Sequence, residues 1–96
     1  MSDTPALPVR VALMAQLDEA MVQAARERVN AGAEAPRTVE AVDMHLSFMA
    51  PAAGPWLATA QVVGGGKTVV FCEAQLRNAE GVLVAQAMGT YRAQGD

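Results

Sequence analysis

The sequence predicts an α+β domain in which one long helix precedes a four-stranded antiparallel sheet. Three observations carry that expectation. Between Val9 and about Val29 there is no Pro or Gly, and apolar residues recur at helical spacing. After Arg37 the apolar period drops from 3.6 to 2. Short segments rich in Gly, Pro or Asn then divide the remainder into four strand-sized runs. Ninety-six residues make one domain, and 52% hydrophobic against 18% charged residues excludes a disordered chain. Residues 1–8 read as a short lead, 9–93 as the domain and 94–96 as a tail.

In order, the helix places Gln16, Glu19, Gln23, Arg26 and Glu27 on one narrow polar arc. Leu13, Leu17, Met21, Val22, Ala25 and Val29 belong to an apolar arc of about half the wheel, wide enough to predict a deeply covered helix. Asn30-Ala31-Gly32 is its stop signal. Val42–Phe48 alternates apolar and polar residues without error, as a half-buried strand does. Pro51–Pro55 is a turn and Trp56–Val63 a second strand. Gly64-Gly65-Gly66 is a tight connection that calls for positive φ angles. Thr68–Arg77 is a third strand, with Val70, Cys72, Ala74 and Leu76 on one face. Asn78–Gly81 is a hairpin turn before a fourth strand, Val82–Arg92. Short connections predict that consecutive strands pair, giving a β-meander.

The aliphatic residues are unusual in kind: twenty Ala, twelve Val, seven Leu, six Met and no Ile, with four aromatics. Small side chains on the strands would let a helix approach the sheet closely. A chain this short buries about 60–65% of its unfolded surface, which predicts a self-associating domain. Net charge −3 without a basic cluster argues against nucleic acid as ligand. No apolar run reaches membrane-spanning length, and Met-Ser-Asp-Thr-Pro is no signal peptide, so a soluble cytoplasmic protein is expected. One His and one Cys far apart offer no metal-ligand spacing, and no cofactor is implied.

One residue breaks the helical pattern. Asp18 lies mid-helix in the apolar arc, among Met14, Val22, Ala25 and Val29, where a short carboxylate cannot reach water. A charge on a buried face is costly unless it is partnered. Two readings stand open: a seam position where Asp18 meets Arg10, Arg28 or a second chain, or a carboxylate held in an apolar cleft as base or nucleophile. Arg28, also in the arc, lies near the helix end and complements its dipole.

These residues together resemble a family. Leu17-Asp18-Glu19-Ala20-Met21, the run Val42 to Ala52, Val62-Val63-Gly64-Gly65-Gly66-Lys67-Thr68, Leu76 to Ala85 and Gly89-Thr90-Tyr91 follow the order and spacing of the hotdog-fold acyl-CoA thioesterases of the phenylacetate-degradation (PaaI-like) type, over about residues 13–93. The resemblance implies a helix gripped by a curved sheet, a homodimer or homotetramer, and an acyl-CoA substrate bound between subunits. It implies that Asp18 acts on the thioester. The family's His-Gly-Gly loop at the helix start falls on Val9, Arg10 and Val11, and a Ser or Thr of some members on Ala41. The strand that precedes the helix in the family has no counterpart in residues 1–8. The replaced loop supports a second reading, a non-catalytic hotdog module that binds acyl-CoA or serves assembly.

Other residues read more plainly. Gly64–Thr68 lacks the spacing of a phosphate-binding loop and joins two strands, so it is a hairpin in which Lys67 is a candidate for a CoA phosphate. Cys72 is a small core residue, His45 an exposed or interfacial one, and Trp56 and Phe48 are core or dimer-face residues.

Overall fold

Apolar residues four apart along the first helix decide how the molecule packs. In a computed structural model of the chain, which describes residues 7–32, 35–50 and 54–94, helix α1 runs Leu7–Asn30. Its start lies two residues before the expected Val9. Leu13, Leu17, Met21, Ala25 and Val29 form the buried stripe, each 6% exposed or less. The covering is narrower than the wheel predicts: Met14 remains exposed and Val22 and Ala24 are only half-buried, because a single sheet covers one side of a helix only. Four strands follow: β1 (Val39–Phe48), β2 (Trp56–Gly65), β3 (Val69–Asn78) and β4 (Leu83–Ala93). The helix crosses mainly β2 and β3. The lead up to residue 6, most of the Pro51–Pro55 turn (51–53) and the tail at 95–96 lie outside the described residues.

The α+β class is as expected, a helix and then four antiparallel strands. One pairing differs. The strand order is β1-β4-β3-β2, so β2, β3 and β4 form a meander while β1 lies on the far side of β4. A meander through all four strands assumed a tight link between the first two. Residues 49–55 can span about 23 Å extended, more than the ~14 Å between β1 and β2 across the sheet. The link follows β4 as it leaves β1, with the Met49 and Ala50 N–H groups both donating to the Val84 carbonyl at 2.8 and 3.2 Å.

The early start of β1 has a physical cause. The register shifts between Ala41 and Asp43, so Val42 is an extra residue and the side-chain parity flips there. Val39 and Ala41 pair with Ala93 and Tyr91, and Met44 and Leu46 with Gly89 and Ala87. Odd residues before the bulge and even residues after it thus share the helix-facing side. Alternation read from the sequence becomes regular only at Val42. Burial alternates without a break along β2 and β3 and along β4 from Ala85 onward, and irregularly in β1.

The connections are held by side chains and by one conformational requirement. Of the three consecutive glycines only Gly65 has a positive φ, +96°, and a Cβ there would collide with the Val69 carbonyl. Asn78 builds the other hairpin by accepting from the Glu80 and Val82 N–H groups at 3.0 and 2.9 Å. At the helix C-terminus, Asn30 and Arg37 exchange two hydrogen bonds, and the Arg37 guanidinium donates to the Val29 and Lys67 carbonyls. Lys67 Nζ donates to the Ala31 carbonyl at 2.7 Å. Two cations therefore gather at the helix C-terminus, Arg37 on the open Val29 carbonyl of the last turn and Lys67 on the Ala31 carbonyl just past it.

Candidate functional site

Asp18 is the residue from which the site is built. It is half-buried, one position past the fully buried Leu17. Its partner is Tyr91, whose hydroxyl donates to Asp18 Oδ1 at 2.7 Å. Arg10 and Arg28, the cations proposed for a seam, are not the groups that meet it. A hydroxyl-to-carboxylate bond of this length is charge-assisted. It leaves Oδ2 as the oxygen available to a ligand.

Tyr91 reaches that position because β4 presents Ala85, Ala87, Gly89, Tyr91 and Ala93 to the helix. The ring is fully buried, and Gly89 makes room for it: a Cβ at Gly89 would stand 2.8 Å from Tyr91 Cε1 and 3.3 Å from Met21 Cε. The phenol's pKa is pushed far up, first by burial, then by its bond to Asp18 and the carboxylate's charge. The hydroxyl therefore stays a donor across the working pH range. Sequence reading passed over Tyr91 as part of a strand ending. The available signal was a hydroxyl on the core-facing alternation of a strand, which demands an acceptor.

The other expected site residues separate into three places. Ala41 is the cross-strand partner of Tyr91, which brings it beside the Asp18–Tyr91 pair. Val9, Arg10 and Val11 lie in the first turns of α1, exposed. Arg10 lies about 12 Å along the helix from Asp18, at 1.5 Å per residue. Lys67 lies at the opposite helix end, its ammonium engaged by Ala31.

Cys72 is buried as expected, with Sγ 3.7 Å from the Met21 carbonyl, and burial raises its thiol's pKa while Arg28 opposes the rise. His45 is exposed on the sheet face away from the helix, where a groove of about 400 Å³ runs between Asp43, Val63, Phe71, Met88 and Thr90. Trp56 is half-buried against the core, and Phe48 is 47% exposed. Among the described residues no cluster of three His, Cys, Asp or Glu could hold a metal, and no helix is long and apolar enough to cross a membrane.

One helix backed by a four-stranded antiparallel sheet agrees with what is similar to this chain. The sequence profile of the thioesterase superfamily matches residues 11–85. The chain belongs to that superfamily. Among solved structures, a Shewanella oneidensis protein related to the thioesterase superfamily superposes with a TM-score of 0.80 at 23% identity, over 88% of this chain and 62% of that one. A Bacillus halodurans protein, solved with CoA, gives 0.68 at 24% identity, over 81% and 53%. A Haemophilus influenzae thioesterase gives 0.71 at 19% identity, over 99% and 64%. This thioesterase-superfamily chain thus spans less than two thirds of the length of each of these structures, which share its fold. No curated protein matches it.

Proposed function

We propose that the protein is an acyl-CoA thioesterase of the phenylacetate-degradation (PaaI-like) type, with Asp18 as the reacting carboxylate. The observation that carries this reading is a half-buried carboxylate on the packed side of α1, tied through one oxygen to a buried hydroxyl. The superfamily and the CoA held by the Bacillus halodurans structure supply the substrate class.

Two routes are open to such a carboxylate. As nucleophile, Oδ2 attacks the thioester carbonyl and CoA leaves as thiolate; water then cleaves the acyl-aspartyl anhydride and returns the carboxylate. As base, Asp18 takes a proton from water as that water attacks, and the proton passes to the departing sulfur. Both routes need donors for the developing oxyanion. The free N–H groups of α1 lie at Leu7–Arg10, at least about 12 Å along a rigid helix from Asp18. A carbonyl in reach of Asp18 is therefore out of reach of its own helix start. A second copy supplying that end completes the site, in agreement with a homodimer or homotetramer. Val9, Arg10 and Val11 are the residues it would bring, Ala41 would border the acyl group, and Lys67 would turn from Ala31 to a CoA phosphate.

Asp18→Asn keeps an oxygen that can accept from Tyr91 but removes the charge. The expected outcome is loss of turnover by about 10²–10⁴-fold across short, long and aromatic acyl-CoAs, with the protein still folded. Full activity in that variant would remove the assignment. The second reading, a non-catalytic acyl-CoA-binding module, is favoured by the β-branched side chains at the helix start; its signature is calorimetric binding of the same thioesters without cleavage.

A further inference from the structure

Tyr91 carries an inference that the reading above does not use. It is the chain's only tyrosine, it is completely buried, and its one polar atom is spent on Asp18 Oδ1 at 2.7 Å. The ring is seated by Gly89, whose missing Cβ leaves the space that Tyr91 Cε1 and the Met21 thioether approach. Met21 lies on α1 three residues after Asp18 and is itself fully buried. The hydroxyl therefore comes from a ring with no freedom to swing, and it meets a side chain that is only half-buried. A free Asp turns readily about its terminal torsion; one oxygen held at hydrogen-bond distance from a rigid donor fixes that torsion.

We propose that Tyr91 is the positioning residue of the site, seated through the gap left by Gly89, and that its hydroxyl holds the Asp18 carboxylate with Oδ2 turned toward the thioester. The proposal rests on Asp18 being the reacting group. Tyr91 touches no substrate; it acts through Asp18 alone. Its effect belongs to the chemical step and not to substrate binding.

Tyr91→Phe keeps the ring and its seat and removes only the hydroxyl. Thiol release from butyryl-, palmitoyl- and phenylacetyl-CoA is followed for wild type, Asp18→Asn, Tyr91→Phe and the double variant, beside circular dichroism. The expected result is a kcat lowered roughly tenfold in Tyr91→Phe with KM within about twofold. Adding Tyr91→Phe to Asp18→Asn is expected to lower kcat no further. An inactive Asp18→Asn beside a Tyr91→Phe of unchanged kcat, or of raised KM alone, overturns the positioning role and leaves the function standing. A wild type without turnover, or an active Asp18→Asn, overturns both. Should Tyr91→Phe fail to fold, global replacement by 3-fluorotyrosine alters this one residue, making its hydroxyl a stronger donor in the same seat. A kcat changed at least about twofold at constant KM supports the proposal, and an identical kcat overturns it.

Discussion

A carboxylate on the packed side of a helix needs a donor, and a buried phenol needs an acceptor; Asp18 and Tyr91 satisfy each other. The pair has a consequence for pH. The Tyr91 hydroxyl titrates far above its ordinary 10.0 in the fold and near that value in the unfolded chain. Above pH about 10 the unfolded state gives up the phenol proton while the native state keeps it, so the native state binds more protons and unfolding becomes easier as pH rises. Two outcomes are expected: phenolate absorbance that rises only together with loss of the circular dichroism signal, and urea midpoints that fall above pH 10. Asp18 was legible as an oddity because its neighbours on the wheel are local in sequence. Its partner lies 73 residues away, and no local pattern names it.

At the scale of the element, α1 is held by one row of side chains spaced four apart and not by its whole apolar arc. Leu17 and Met14 look equivalent on the wheel. The structure buries Leu17 completely and leaves Met14 39% exposed. Leu17→Ala is expected to cost about 2–5 kcal/mol by urea denaturation, through lost burial and a cavity against the sheet. Met14→Ala is expected to stay within about 0.5 kcal/mol. Equal effects would mean that the helix packs on both flanks in solution. β1 shows the converse case, in which a bulge at Val42 flips the parity and hides the strand's first residues from a search for alternation.

Over the whole molecule the covered area is one-sided. The core is made of residues such as Leu17, Met21, Val70, Leu76 and Tyr91, with Ala filling the close approaches, and it contains no buried charged side chain among the described residues. Outside it, Leu57, Met88, Val42, Val11 and Phe48 are 47–69% exposed. Apolar surface of that extent, on a chain whose own helix start cannot reach its own Asp18, fits subunits that complete one another. Size-exclusion chromatography with light scattering is expected to give two or four times 10.0 kDa. A 10.0 kDa species at micromolar concentration would remove the shared-site mechanism and leave the fold untouched.

By itself the sequence determined the element order, the helix-facing residues of β3, and the presence of one carboxylate where a helix should be apolar. Each is a periodic property, recorded in residues only two to four positions apart. Tertiary structure alone decided that β1 takes the far edge of β4, that Gly89 is a seat for a ring, and that the misplaced carboxylate meets a tyrosine from the last strand. Those outcomes depend on strand register and on the span of one seven-residue link. Register is settled by which faces can be buried together, a condition on the assembled sheet that no single segment contains.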